Sequence, residues 1–306
     1  MNISKRMKRF LLCWLLLLAV AGVGKAQEQP VKILAIGNSF SVDAVEQNLH
    51  ELAAAEGIST IIGNMYIGGC TLQRHVQNAR DNSPAYAYRK IGIDGVKTNR
   101  KKTTLVEALT DEKWDYVSVQ QASGYSGQYE TYEASLPELL AYLRAHLPTS
   151  TKILFHQTWA YAHTSKNRHF ARYNHDQHKM YQAIMKVSQH TVRQYKFHAV
   201  IPSGTAIQNA RGTALGEDLT RDGHHLDKVV GRYIVACAWF ETLFGRTVVG
   251  NTYAPQAMSA HERSLAQVAA HAACQKPYRV SKIKQKKVVG KIKKAEQVVR
   301  MLKRAG

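Results

Sequence analysis

The sequence predicts an α/β protein of three layers, in which helices cover both faces of a central, mainly parallel sheet of five strands. The first observation is that short apolar runs alternate along the chain with longer segments whose apolar residues recur at helical spacing. Strands that are separated by helices form βαβ units, which pair their strands in parallel. The second observation is that residues 27–275 contain no internal repeat and no low-complexity linker, which predicts one domain.

The apolar runs and helical segments can be placed in chain order. The predicted strands are Val31–Ile36, Ser59–Ile67, Asp115–Val119, Lys152–Phe155 and Phe197–Ile201. The predicted helices are Ala44–Glu56, Tyr132–His146, Tyr173–Tyr195 and Lys228–Phe244. The polar, lysine-rich segment Tyr86–Thr104 breaks the pattern and carries Asp94-Gly95 at its centre, so it predicts a hairpin or a surface excursion.

The formal net charge of +20 lies mainly at the two ends of the chain. Residues 1–26 carry five Lys and Arg and no acid, and residues 276–306 carry twelve against one Glu. Residues 27–275 hold 25 Lys and Arg against 21 Asp and Glu, so this part is close to neutral. Because a nucleic-acid footprint needs basic residues clustered on the folded domain, we expect no nucleic-acid partner.

The first 26 residues have the three parts of a secretory signal peptide. A positive start, Lys5 to Arg9, precedes the apolar run Phe10–Val23, which is too short for a comfortable membrane span. Gly24-Lys25-Ala26 then offers small residues before a cleavage bond. We therefore expect cleavage after Ala26 and export to the periplasm or exterior of a bacterium, with an uncleaved anchor as the alternative.

The sequence leaves open whether the cysteines pair and what the basic tail contacts. Export permits disulfides, and Cys237 and Cys274 are able to pair, but three buried thiols that include Cys70 are the simpler interpretation. The tail, residues 276–306, places apolar residues among lysines at near-helical spacing. It is either a solvated tail or a segment in weak contact with an anionic membrane surface. The oligomeric state stays open.

Polar and small residues follow the first three predicted strands. Gly37-Asn38-Ser39-Phe40 comes after the first, Gly68-Gly69-Cys70 after the second, and Gln120-Gln121 after the third. In open α/β sheets, ligands bind beyond the carboxyl ends of the strands. A serine at such a turn exposes a hydroxyl, a glycine exposes a backbone N–H, and a side-chain amide donates a hydrogen bond to an oxyanion.

The last motif is Asp222-Gly223-His224-His225-Leu226, directly before the final predicted helix. An Asp and a His three residues apart can orient one another in a turn, so that the carboxylate fixes the imidazole tautomer. His225 is then a candidate general base toward Ser39. His224 is a candidate substrate contact or a surface residue.

Together these blocks resemble the SGNH (GDSL-like) hydrolases, in the forms GNSFS, VQQAS, PSGTAIQNAR and DGHHL of a bacterial branch known only as a domain of unknown function. The resemblance spans about residues 31–250. It implies ester hydrolysis by Ser39 as nucleophile, Asp222 as orienting acid and His225 as base, with Ser39, Gly69 and an amide as oxyanion donors. The usual third block is replaced, so the amide is Gln120 or, alternatively, Gln121.

Aromatic residues near the strand ends indicate the class of substrate. Candidate sugar-stacking residues are Tyr125, Tyr129, Tyr132, Trp159 and Tyr161, with Trp159 taken as a substrate contact beside His224. Because exported relatives often deacetylate carbohydrate, we expect an acylated carbohydrate or another small ester. Alternatives are a catalytically silent glycan-binding protein and a lipase- or thioesterase-type hydrolase. We expect no cofactor and no metal. His175 and His178 are spaced to share a helix face as metal ligands, but we interpret them, with His169, as a solvated surface.

Overall fold

A computed structural model describes residues 29–283, and its centre is one sheet. The strands are β1 Val31–Gly37, β2 Thr60–Tyr66, β3 Tyr86–Ile91, β4 Lys97–Thr103, β5 Tyr116–Val119, β6 Lys152–His156 and β7 Ala199–Ile201. Their spatial order is β4-β3-β2-β1-β5-β6-β7. Strands β2, β1, β5, β6 and β7 are parallel. The predicted α/β fold with a mainly parallel sheet is confirmed.

The predicted number of five strands is wrong, because the sheet has seven. The two additional strands, β3 and β4, form an antiparallel hairpin that pairs with β2. The segment Tyr86–Thr104 is therefore a hairpin that extends the sheet rather than a separate excursion. Every residue of β4 except the last is exposed. An edge strand that is solvated on both faces needs no apolar pattern, which is why its sequence does not read as a strand.

Helices cover both faces of the sheet. They are α1 Ser39–Val45, α2 Leu49–Ala54, α3 Leu72–Arg80, α4 Leu105–Asp111, α5 Glu130–Glu133, α6 Leu136–His146, α7 Gln177–Gln194, α8 Ser203–Arg211, α9 Val230–Phe244 and α10 Ala260–Gln275. Two 3₁₀ turns are Ser123–Tyr125 and Arg168–Tyr173. None of the helices within residues 29–283 is long and apolar enough to cross a membrane.

Alternating residues of β1 divide the interior into two cores. Ile33 and Ala35 face a core that includes α1, α2, α8, α9 and α10. Leu34 and Ile36 face a second core that includes α3, α4 and α6. All four side chains are fully buried, as expected for a central parallel strand that is covered on both faces. The arrangement gives the three layers that the sequence predicts.

Several helix boundaries differ from the sequence prediction. The segment that reads as one helix, Ala44–Glu56, is two helices, because Asn48 adopts a left-handed conformation (φ 69°) between α1 and α2. Helix α1 starts earlier, at Ser39, since the Asn38 side chain caps it by accepting a hydrogen bond from Phe40 N. Because α1 begins at this residue, Ser39 lies in its first turn.

Two predicted segments lie wholly or partly outside the described residues. The expected signal peptide lies outside them, as does the basic tail beyond residue 283. Within the described part of the chain, Cys70, Cys237 and Cys274 are free thiols.

Candidate active site

The candidate nucleophile, Ser39, is the first residue of α1, directly beyond the carboxyl end of β1. Its side chain is partly exposed, whereas its neighbours Asn38 and Phe40 are buried. At the first position of a helix the backbone N–H has no intrahelical acceptor, so it is free to point at a ligand. Ser39 therefore offers a hydroxyl and an N–H at the same place.

The structure brings Ser39, His225 and Asp222 into one hydrogen-bonded series. His225 Nε2 lies 2.8 Å from Ser39 Oγ. His225 Nδ1 lies 2.6 Å from Asp222 Oδ2. Since a carboxylate only accepts, the Nδ1–H donates to Asp222, and Nε2 is left to accept the Ser39 hydroxyl proton. This is the tautomer that a general base needs.

Asp222 also shapes the turn that carries His225. Its Oδ1 accepts the backbone N–H groups of His225 at 2.7 Å and of His224 at 3.1 Å. Partial burial raises the pKa of Asp222, but the hydrogen bonds from His225 and His224 outweigh it and lower the pKa to about 2. The carboxylate thus stays charged at neutral pH and accepts the Nδ1–H of His225.

Glycine is required at position 223, between the acid and the two histidines. Gly223 has a φ of +84°, and an added Cβ would lie 2.6 Å from the Cα of Ser165. The Gly223 carbonyl accepts the backbone N–H of Ala162 at 2.8 Å. The turn is therefore held against the segment that follows β6.

A buried carboxylate, Asp43, ties the turn of residues 220–226 to the helix of the nucleophile. Asp43 lies one turn after Ser39 on α1 and is fully buried. Its Oδ2 accepts Leu226 N at 2.9 Å, and its Oδ1 accepts Arg232 Nε at 2.8 Å and Arg221 Nη1 at 3.2 Å. Asp43 and its two arginines thereby fix the position of His225 relative to Ser39.

The Gly69 turn lies beyond β2, with an exposed backbone. Gly69 has a φ of +62° and is exposed, and its N–H has no acceptor among the described residues. The next residue, Cys70, accepts a hydrogen bond from Asn38 Nδ2 at 3.0 Å through its carbonyl. The capping residue of α1 therefore also holds the glycine turn beside the nucleophile.

The structure places the two candidate glutamines differently. Gln120 Nε2 donates to Asn38 Oδ1 at 3.0 Å, so its amide lies next to the nucleophile turn. Gln121 does not reach that turn, because its Oε1 accepts Leu72 N and Ala122 N, and its Nε2 donates to Thr131. Both glutamines are buried, and Gln120 is the one whose amide contacts the turn of the nucleophile.

A buried histidine that the sequence analysis missed fixes the orientation of Gln120. His156 Nδ1 donates to Gln120 Oε1 at 2.7 Å, and its Nε2 accepts Ser203 Oγ at 2.9 Å. Burial lowers the pKa of His156 to about 3, so the ring is neutral. Because its carbonyl oxygen faces His156, the amide of Gln120 must turn its Nε2 toward Asn38.

The structure corrects the expectation that Trp159 contacts substrate. Trp159 is fully buried, its ring stacks on Phe40 at 4.0 Å, and its Nε1 donates to the carbonyl of His224 at 2.8 Å. A ring without exposed surface supports the site from beneath and has no face for a sugar. Tyr132 and Tyr161 are likewise buried, whereas Tyr125 and Tyr129 are partly exposed.

His224 lies beside the candidate base and remains partly exposed. Its ring centroid is 4.0 Å from that of His225, and its Nδ1 is 3.1 Å from Asp222 Oδ1. Burial and the neighbouring His225 lower the pKa of His224. This position is compatible with a substrate contact next to the base.

The candidate metal ligands divide into two groups. Asp222, His224 and His225 have ligand atoms within 4.8 Å of one another, and these are the atoms already engaged in the series with Ser39. The other three histidines do not meet within the described residues: the rings of His169, His175 and His178 neighbour Tyr125, Phe170 and His163, respectively.

Comparison with known proteins identifies the family. A profile of the DUF4886 family, a domain of unknown function, matches residues 32–273. The chain belongs to this family. A DUF4886 protein of Bacteroides uniformis with a crystal structure is 52% identical, with a TM-score of 0.82 over 83% of this chain and 98% of that one. The expected relationship to a branch of unknown function is confirmed.

This DUF4886 protein is also similar to more distant structures. One is a Slackia heliotrinireducens protein proposed to be an SGNH hydrolase, at 18% identity and TM-score 0.48, over 70% of this chain and 100% of that one. Another is Axe2, an acetylxylan esterase of Geobacillus stearothermophilus, at 14% identity and TM-score 0.45, over 69% and 93%. Among curated proteins, none matches this DUF4886 sequence significantly.

Proposed function

We propose that this protein is an exported serine esterase that removes acyl groups, above all O-acetyl groups, from carbohydrate. One observation carries the proposal: His225 lies 2.8 Å from Ser39 Oγ and 2.6 Å from Asp222 Oδ2. A nucleophile within hydrogen-bond reach of a base, which a third group orients, is the arrangement that covalent acyl transfer requires.

The reaction follows from these contacts. Ser39 Oγ attacks the carbonyl carbon of the ester while His225 Nε2 takes its proton. The oxyanion accepts hydrogen bonds from the N–H groups of Ser39 and Gly69 and from the amide of Gln120, and loss of one such donor costs about 3 kcal/mol. His225 then protonates the leaving sugar oxygen. A water molecule, deprotonated by His225, then attacks the acyl carbon; the bond to Ser39 Oγ breaks, His225 returns the proton to Oγ, and the carboxylic acid leaves.

The carbohydrate part of the proposal is supported by the surface near the site. Tyr125 is partly exposed and is linked to His224 through Ser123 and Tyr161, and aromatic faces suit sugar rings. Secretion is supported by the pattern of residues 1–26, and amino-terminal sequencing of the mature protein tests it. The expected first residue is Gln27, whereas an intact Met1 contradicts export by cleavage.

The direct test is hydrolysis of p-nitrophenyl acetate and of acetylated oligosaccharides by the protein and by Ser39→Ala. We expect the variant to lose turnover almost completely, because no other group replaces the nucleophile. Ser264→Ala, on the remote helix α10, is the matched control and keeps full activity. Near wild-type turnover by Ser39→Ala contradicts the proposal.

The two histidines provide a second matched pair. His225→Ala removes the base and is expected to lose far more kcat than His224→Ala, which removes only the neighbouring ring. If His224→Ala instead loses more kcat than His225→Ala, His224 is the base. Tight saccharide binding without turnover favours a glycan-binding protein over the esterase.

A further inference from the structure

A run of basic residues borders the site on the side of His224. We call residues 163–172 the cationic loop, because this stretch holds Lys166, Arg168, Arg172 and two histidines, without an Asp or Glu. The side chains of Lys166, Arg168 and Arg172 are exposed. The mechanism derived above uses none of them.

One end of the cationic loop packs on the turn that carries the catalytic acid and base. Ala162, just before the loop, donates its N–H to the Gly223 carbonyl at 2.8 Å. A Cβ on Gly223 would lie 2.6 Å from the Cα of Ser165. The backbone of the loop is therefore in direct contact with the turn between Asp222 and His225.

The other end of the cationic loop packs on the 3₁₀ turn that follows β5. The guanidinium of Arg172 lies 4.3 Å from the centre of the Tyr125 ring, and His169 lies 5.5 Å from the same ring. A Cβ on Gly124 would meet the His169 Cβ at 2.5 Å, so the contact is close. Tyr125 thus holds Arg172 in place by a cation–π contact.

A series of contacts connects this second end to the candidate base. Ser123 Oγ is 2.8 Å from Tyr161 OH, and the Tyr161 ring is 5.5 Å from His224. His224 in turn is 4.0 Å from His225, ring to ring. Tyr125 and Arg172 are therefore linked to the candidate base through Ser123, Tyr161 and His224, and the charges of Arg172 and Asp222 both act on Tyr161.

The positive charge at this end is not balanced by acidic side chains. Arg172 contacts Tyr125 and His169, and within the described residues neither it nor Arg168 has a carboxylate at ion-pair distance. Burial, followed by the charges of Arg172 and Arg168, lowers the pKa of His169. Lys166 differs, since it lines a groove together with Glu217 and Asp218.

We propose that Arg172, with Arg168 beside it, binds an anionic group on the carbohydrate whose ester is cleaved, so that the substrate is an acidic acylated saccharide. The inference rests on the proposed function and names its substrate class. The fork of N–H donors in a guanidinium fits the paired oxygens of a carboxylate or a sulfate, and the held position of Arg172 lowers the entropy lost on binding.

The test compares kcat/KM for an acetylated oligouronide with that for an acetylated neutral xylo-oligosaccharide. We expect Arg172→Ala to reduce the ratio of acidic to neutral kcat/KM by about tenfold or more, as expected for loss of a charge-assisted hydrogen bond. Arg172→Lys restores part of the ratio, because it keeps the charge without the fork. Arg246→Ala, an exposed arginine beyond the far end of α9, is the control and leaves the ratio unchanged.

A binding measurement separates this inference from the proposed function. Calorimetric titration of the protein with de-esterified oligouronide, and separately with a sulfated oligosaccharide, reports the anion and its type without turnover. We expect binding that weakens with salt and with Arg172→Ala. If no ester is hydrolysed but this binding is present, the esterase proposal fails and the anion site stands. If neutral and acidic saccharides are bound and hydrolysed alike by all variants, the inference is overturned.

Discussion

The two sides of the candidate site are built with different chemistry. On the His225 side, the buried carboxylate of Asp43 holds the turn through two arginines and the backbone N–H of Leu226. On the Gly69 side, neutral amides connect Gln120, Asn38 and the Cys70 carbonyl. Charge holds the candidate base, whereas hydrogen-bond direction holds the candidate oxyanion donors.

This difference predicts how each side fails. Removing a charge from the first side leaves buried partners unpaired, which is strongly destabilising. Removing a member of the second side leaves a buried partner without its hydrogen bond, which costs about 1–3 kcal/mol, and frees an amide to turn. The following variants separate the two kinds of loss, from the largest expected effect to the smallest.

Among the residues that hold the two sides, the largest effect on activity is expected from Asp222→Asn. An asparagine at this place permits the wrong tautomer of His225. In a serine protease triad the same change lowers kcat by about ten-thousandfold, and we expect a loss of that order here. The measurement is kcat for p-nitrophenyl acetate, with exposed Asp218→Asn as the matched control. Equal activity of the two variants would show that Asp222 does not orient His225.

The largest effect on stability is expected from Asp43→Ala. The substitution leaves Arg232 buried without its partner and releases the turn that carries His225, so the free energy of unfolding is expected to fall by about 3–5 kcal/mol. Urea denaturation measures this loss, and kcat falls with it, because the base is no longer held near Ser39. Unchanged stability and kcat contradict the role of Asp43 as a clamp.

An intermediate effect is expected from His156→Ala. Without its donor, Gln120 is free to turn its amide, so kcat is expected to fall by about tenfold while KM changes little. Ser203→Ala is the graded control, since it removes only the hydrogen bond on the far side of His156 and should reduce kcat less. Should KM rise with kcat unchanged, His156 acts on substrate binding and not on the oxyanion side.

The effect that is smallest at neutral pH is on stability toward acid. Burial lowers the pKa of His156, like that of His75, from 6.5 to about 3. Between these values the unfolded chain binds protons that the folded protein does not, so stability is present above pH 6.5 and is lost as the pH falls toward 3. His156→Gln removes one of the two groups and should flatten the decline of unfolding free energy between pH 7 and pH 4. Parallel curves for the two proteins refute this assignment.

The sequence predicts those parts of the site that lie in local motifs. Ser39 follows a strand, and Asp222 and His225 are three residues apart, so both signals are visible without the fold. Asp43 and His156 were missed because their partners are remote in the chain, at Leu226 and at Gln120 and Ser203. A spacing of four residues between Ser39 and Asp43 was the available signal, since it places both on one side of a helix.

The same distinction holds for the fold. Buried parallel strands read as apolar runs and were found, whereas the solvated edge strand β4 carries no such pattern and was not counted. Trp159 illustrates the reverse error: an aromatic residue beyond a strand end suits a sugar, but only packing against Phe40 decides that it is fully buried.

The most direct test of the central claim is covalent labelling with a fluorophosphonate followed by peptide mass spectrometry. We expect one modified residue, Ser39, and loss of labelling in His225→Ala, because that variant no longer activates the hydroxyl. His224→Ala should still be labelled. Absence of label on Ser39 in the folded wild-type protein, or equal labelling of Ser39 in His225→Ala, would contradict the account.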